Sequence, residues 1–213
     1  MSSAPSVLVA TRSAGKVREL RPIFAAFGVP TVSLEELGID VEPAEEEIER
    51  FATFEENALA KARYFYEVSG GIATVADDSG LEVLALGGAP GVRSKRWSRD
   101  LAGGALGGPT SGNVDAANNA TLVRAVAGLD DRRARYVCAA AFVTLGRELV
   151  RRGEVAGSIV TEPRGQGGFG YDPYFLAAEL GRTFGEATLT DKEQVSHRGR
   201  AFRALLEAVA RGD

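Results

Sequence analysis

The stretch VADDSGLEVLALGGAPGV, Val75 to Val92, sets two adjacent carboxylates, Asp77 and Asp78, between an apolar run and a Ser-Gly turn. Buried acids are costly unless a positive group compensates them. The run that leads into them, Ile72 to Ala76 (IATVA), has the apolar, β-branched character of a buried strand. A strand alternates its side chains, so Asp77 and Asp78 point to opposite faces of a sheet. In open α/β sheets ligands sit at the carboxyl ends of strands, where this pair falls. A carboxylate there suits Mg²⁺, a hard cation that takes one or two protein oxygens and completes its shell with water and phosphate. The other reading is an Asx turn, in which Asp78 caps its own backbone and no metal is needed.

Working outward, Phe51 to Val68 reads as a helix with Phe54, Ala58, Ala62 and Phe65 on one face, ended by Gly70 and Gly71. Ser6 to Ala10 (SVLVA) suits another buried strand. A helix follows from about Ala14 through Val17, Leu20, Ile23, Phe24 and Phe27, stopped by Gly28 and Pro30. Val41 to Arg50 is an acid-rich connection, read as a solvated loop from which a glutamate of the AEEE run could reach a metal. Further on, Val114 to Val126 reads as a helix. Ala134 to Leu145 and Glu148 to Val160 read as two long strands joined at Gly146-Arg147, and Arg200 to Ala210 as a closing amphipathic helix. Strands alternating with helices predict an α/β fold with at least partly parallel pairing. Gly103 to Gly112 (GGALGGPTSG) is either a linker or a mobile loop beside a site. No composition shift marks a boundary, so residues 1–213 are expected to form a single domain.

The chain has 213 residues, a net charge of -4 and one cysteine, Cys138. A broad electrostatic grip on a nucleic acid polymer is thereby disfavoured, and an anionic ligand needs a local cluster of cations. One cysteine excludes an internal disulfide and fits a reducing compartment, and one histidine beside it makes a structural zinc improbable. No segment has the length of a membrane span, and the N-terminus lacks the pattern of a signal peptide. A cytoplasmic location is expected.

Three further stretches are poor scaffold. ATRSAGK, Ala10 to Lys16, is a small-residue turn between strand and helix, where backbone N–H groups and the helix dipole favour an anion. The spacing is not that of a Walker A loop. GQGGFGYDPYF, Gly165 to Phe175, carries four glycines around Phe169, Tyr171 and Asp172, so backbone can approach a planar ligand and an aromatic can stack on it. DKEQVSHRGRAF, Asp191 to Phe202, holds the only histidine, His197, beside Arg198, just ahead of the last helix. Without a G-x-S-x-G elbow a serine triad is a poor reading, and these donors suit recognition of carbonyl oxygens. An anion-binding turn, a Mg²⁺ carboxylate, a base-stacking loop and cationic donors together describe a nucleoside triphosphate site.

The order ATRSAGK, FEENALAKA, ADDSGLEV…LGGAPGV, GFGYDP…F, SHRGRA closely resembles the inosine/xanthosine triphosphate pyrophosphatases, from Ala10 to about Ala204. The resemblance implies an α/β fold, with a long mixed β-sheet flanked by helices and two lobes with the active-site cleft between them. It also implies a homodimer and Mg²⁺-dependent hydrolysis of ITP, dITP and XTP to monophosphate and pyrophosphate. By the same resemblance Thr11, Arg12, Ser13, Ala14, Gly15 and Lys16 form the triphosphate-binding turn. Asp78 is the catalytic, Mg²⁺-associated acid and Ser79 an adjoining substrate contact. Phe169, Gly170, Tyr171 and Asp172 form the base-binding loop. Lys192 binds phosphate or substrate, and His197 and Arg198 read the base. Glu45 is the counterpart of a metal-site glutamate, with Glu46 and Glu47 as alternatives. Ser13 departs from the asparagine usual in the family, so its contact is expected to run through water. A Maf-like pyrophosphatase is the nearest rival, disfavoured by SHRGRA and GFGYDP.

Overall fold

A computed structural model of the chain describes residues 6–101 and 114–212. Its sheet has seven strands in the order β2-β1-β3-β4-β5-β6-β7. These are β1 (Val7–Val9), β2 (Thr31–Ser33), β3 (Thr74–Val83), β4 (Arg133–Thr144), β5 (Arg147–Ile159), β6 (Phe175–Ala177) and β7 (Arg182–Thr183). β1 pairs parallel with β2 and β3, whereas β6 pairs antiparallel with β5 and β7, so the sheet is mixed as expected. The helices among the described residues are α1 (Ala14–Ala26), α2 (Phe54–Val68), α3 (Trp97–Leu101), α4 (Val114–Ala125), α5 (Leu189–Val195) and α6 (His197–Arg211). Gly103 to Gly112, read above as linker or mobile loop, lies outside the described residues.

The chain packs as two compact units. The first draws on Met1–Asp78, Cys138–Gly153 and His197–Asp213. Here α1 packs on α6, and Leu20, Ile23, Phe24, Phe202 and Leu205 close over Val9, Val75, Cys138 and Ala140. The second draws on Ser79–Val137 and Glu154–Ser196. Its core gathers Leu81, Val83, Trp97, Leu122, Tyr136, Phe175 and Phe184, with Tyr136 and Phe184 stacked at 5.9 Å.

Three expectations from the sequence are corrected. The acids do not end a strand, because β3 runs without a break from Thr74 to Val83 and no Ser-Gly turn forms. Gly80 and Leu81 are buried in the ladder, and burial on both faces holds the strand together through a Ser-Gly pair of poor β propensity. The last helix starts at His197, not near Arg200, so His197 and Arg198 form its first turn. Ser196, with extended φ and ψ of -66° and 151°, sets that start. The acid-rich connection contains a short 3₁₀ turn, Pro43–Glu47, opened by proline and capped at its start by Glu45 Oε1, which accepts from the Glu42 amide at 3.2 Å.

Gly153 on β5 shows how tightly α6 is seated. A Cβ at this position would overlap the carbonyl oxygen of His197 and the amide nitrogen of Ala201. Backbone cannot yield as a flexible side chain can, so Gly153→Ala must displace the first turn of α6. A loss of about 1–3 kcal/mol in urea denaturation is expected, the scale of an overpacked core. A variant within about 0.5 kcal/mol of the parent would show that α6 has room there.

Candidate active site

The site in the first unit is built on β3, whose alternation sends its two acids to different helices. Asp77 faces the α1–α6 layer. Its Oδ2 lies 2.9 Å from Lys16 Nζ and 3.3 Å from Arg198 Nε, and the thiol of Cys138 is 3.8 Å away. Arg198 Nη1 in turn donates to Glu19 on α1. Burial works against the charge of Asp77, yet Lys16, Arg198 and Lys61 hold it far below the usual carboxylate range. Burial, and then the negative Asp77, push the Cys138 thiol well up, so it is a neutral, inert group.

Asp78 faces α2 and is in the opposite electrostatic state. Burial pushes its pKa up to about 6, Glu49 adds to the shift, and Lys61, Lys16 and Asn57 oppose it. Asn57 Nδ2 donates to Asp78 Oδ2 at 2.9 Å, while Asn57 Oδ1 accepts from the Phe51 amide at 2.9 Å. The Phe51 N–H therefore orients the Asn57 amide so that a donor faces the acid. Lys61 is buried and paired with Glu49. Burial lowers the tendency of Lys61 to hold its proton, but Glu49, Asp77 and Asp78 more than compensate and keep it charged.

These partners were not singled out in the sequence, although a signal was present. The buried face of α2 is Phe54, Asn57, Ala58, Lys61, Ala62 and Phe65, so two polar residues occupy an apolar stripe at helical spacing. Glu19 stands the same way beside Leu20, Ile23 and Phe24 on α1. A polar residue in a core stripe must meet a partner, and the partners are Asp78, Glu49 and Arg198.

The ATRSAGK turn divides its labour. Ser13 caps α1, its Oγ accepting from the Lys16 amide at 3.3 Å, and Thr11 Oγ1 accepts from Ser13 N at 3.2 Å. Arg12 reaches away, with bonds to both oxygens of Glu45 at 3.1 and 2.6 Å and to the carbonyls of Ile39 and Asp40, each at 2.7 Å. Glu45 is thus the counter-ion of Arg12, and the glutamate whose charge acts on Asp78 is Glu49. Glu46 is exposed and Glu47 pairs with Arg50. Ala14 and Gly15 lie in the first turn of α1, Lys16 beyond them reaches Asp77, and Ser79 is half-buried on β3.

The second unit holds the other group of expected site residues. Lys192 on α5 is buried and pairs with Asp172 at 2.5 Å, its ammonium lying 4.9 Å from the ring centroid of Phe169 and 5.2 Å from that of Phe184. Asp172 Oδ2 also accepts from the Phe169 amide at 2.8 Å. Lys192 and Asp172 therefore shape the glycine loop from inside. Gly168 is required for this, since its φ is +73° and a Cβ would overlap the Asp172 carboxylate. Tyr171 is a core residue, its hydroxyl donating to the Ser94 carbonyl at 2.8 Å, and burial raises its pKa above the usual value. Phe169 and Gly170 are half-buried, and Gly170 is pinned by Asp115 and Asn119 of α4.

A buried strand carrying one ion-paired acid and, beside it, one acid of raised pKa marks this α/β sheet as the scaffold of a candidate catalytic site. The sequence profile of the Ham1 family matches residues 7–208, and the chain belongs to that family. A dITP/XTP pyrophosphatase of Mycobacterium bovis is 46% identical over 98% of this chain and 97% of its own length. One from Frankia alni is 48% identical over 93% and 94%. Among solved structures, the Staphylococcus aureus Ham1 protein is similar at a TM-score of 0.78 and 30% identity, covering 98% of this chain and all of its own. The resemblance drawn from the motifs agrees with these relatives.

Proposed function

We propose that this chain hydrolyses ITP, dITP and XTP to the monophosphate and pyrophosphate, with Mg²⁺, and so clears deaminated purines from the nucleotide pool. The observation that carries the reading is the buried Asp78 carboxylate with a pKa near 6, oriented by Asn57 and flanked by Lys61 and Glu49. A group of that pKa takes a proton readily from attacking water near neutral pH. The relatives named dITP/XTP pyrophosphatase support the substrate class.

Among the described residues no cluster of three or more His, Cys, Asp or Glu stands ready for a metal. Mg²⁺ does not require one, because it keeps several waters and binds through one or two carboxylates plus substrate phosphate. The carboxylates of Asp78 and Glu49 beside Lys61 are hard oxygen donors, which fits a divalent ion held by those two acids with water and phosphate. When bound, the ion would neutralise phosphate oxygens and acidify coordinated water. The chain's own residues orient the rest. Asn57 fixes the rotation of the Asp78 carboxylate, and Asp78 accepts the proton of the attacking water. Lys16 and the N-terminal amides of α1 stabilise the charge that develops on departing pyrophosphate.

Base choice is assigned to a donor at His197 and to the loop of Phe169 to Asp172; Arg198, expected to share that role, is instead buried between Glu19 and Asp77. Hypoxanthine and xanthine carry a carbonyl at position 6, whereas adenine carries an amino donor there. Donors left facing a donor cost about 1–3 kcal/mol, roughly 5- to 150-fold. Guanine keeps the carbonyl, so its 2-amino group must be refused by close packing, which we assign to the loop. Pyrophosphate release measured over all common and deaminated triphosphates is expected to rank ITP and XTP well above GTP, with ATP and pyrimidines lower, and to cease in EDTA. Equal turnover of ATP, or full activity in EDTA, would refute the reading. A cytoplasmic homodimer is the proposed working form, following the resemblance, and light scattering at two concentrations tests the dimer.

A further inference from the structure

Glu19, Arg198, Asp77 and Lys16 form one chain of charges through the first unit. Glu19 and Lys16 are one turn apart on α1, Arg198 is in the first turn of α6, and Asp77 is on β3. Arg198 has one guanidinium nitrogen on each acid, bonding Glu19 through Nη1 and Asp77 through Nε. Asp77 then divides its Oδ2 between Arg198 at 3.3 Å and Lys16 at 2.9 Å. Three of the four are buried, with side-chain exposures of 10% for Glu19, 3% for Arg198 and 1% for Asp77, while Lys16 reaches 16%. The two cations and two acids balance, and only the lysine end of the chain approaches solvent.

We propose that Glu19 is a positioning residue, which sets through Arg198 and Asp77 where the Lys16 ammonium is held for the phosphate chain of the substrate. The inference rests on the phosphate-binding role assigned to Lys16 above. Its physical basis is competition for one carboxylate oxygen. Glu19 takes part of the hydrogen-bonding capacity of Arg198, and what Arg198 does not spend on Glu19 is drawn to Asp77. When Glu19 loses its charge, Arg198 pulls harder on Asp77 Oδ2, and Lys16 loses the anchor that fixes its long side chain. An unanchored lysine must be ordered by the ligand itself, which weakens binding. Residues linked by such a network are coupled, whereas a residue that merely supports the fold acts independently of Lys16.

The test is a double-mutant cycle read by calorimetry with inorganic tripolyphosphate, which has no base and undergoes no base recognition. Lys16→Met is expected to weaken binding about 10-fold or more, the scale of a lost charge-assisted contact of about 1.5–3 kcal/mol. Glu19→Gln should weaken it about 5-fold in the parent and leave it unchanged in the Lys16→Met background. Arg198→Lys, which keeps the charge but cannot fork between two acids, should behave as Glu19→Gln does. Equal effects of Glu19→Gln with and without Lys16 would overturn the positioning role while leaving the phosphate role of Lys16 intact. Unchanged binding by Lys16→Met alone would overturn both. If Glu19→Gln does not fold, the same cycle run with Arg198→Lys decides the matter.

Discussion

Asp78→Asn is expected to lose pyrophosphate release by about 10²-fold or more while making the metal-free protein more stable at pH 8. The two halves have one cause. Asp78 is almost fully buried, and its pKa of about 6 in the folded chain stands above the ordinary aspartate value of about 3.9. A group whose folded pKa is raised favours the fold while it is protonated. That contribution is whole below about pH 4 and is lost as pH rises through about 6. Above that, the folded chain holds a buried charge that the unfolded chain would carry in water, a cost of about 3 kcal/mol for a shift of about two units. Asparagine keeps the shape and the neighbourhood of Asn57 and removes the charge. In EDTA, urea denaturation at pH 8 should therefore show the variant more stable, and at pH 3.5 the two chains should converge. A variant less stable than the parent at pH 8 would mean that Lys61 and Asn57 more than compensate the charge. Retention of near-normal turnover would remove Asp78 from the chemistry.

Arg198→Ala carries the second large effect, here on stability. The guanidinium lies between Glu19 and Asp77 and is about 2% exposed, so its removal takes from two buried carboxylates the cation they share. Breaking a buried ion pair from one side costs about 3–5 kcal/mol, because the remaining charge is uncompensated. The loss should appear as a lower urea midpoint at pH 7 with an unchanged slope. A change within about 1 kcal/mol at pH 7 would show that solvent reaches the two acids in the variant.

Much of the fold was legible because its signals are local. The helix from Ala14, the helix through Phe54 to Phe65 and the hairpin near Gly146 follow from apolar periodicity and glycine punctuation, and they fall within a few residues of α1, α2, β4 and β5. The alternation that sends Asp77 and Asp78 to different faces is equally local, being a property of any strand. The continuation of β3 through Ser79 and Gly80 was not legible. It depends on neighbouring strands and on core packed against both faces, which overrides the turn preference of Ser-Gly.

Residue types and their order thus determined the family and part of the charged set, Lys16, Asp78 and Arg198, whereas Glu19, Glu49 and Lys61 entered only with the structure. Which acid meets which cation was decided by tertiary structure. Glu45 and Glu49 are four residues apart in one acidic run, yet one neutralises Arg12 and the other pairs with the lysine beside Asp78. The pKa values of Asp77 and Asp78 move in opposite directions although the residues are adjacent and chemically identical. The reason is that Coulomb energy and desolvation depend on distance and burial in three dimensions, and neither is a function of position along the chain.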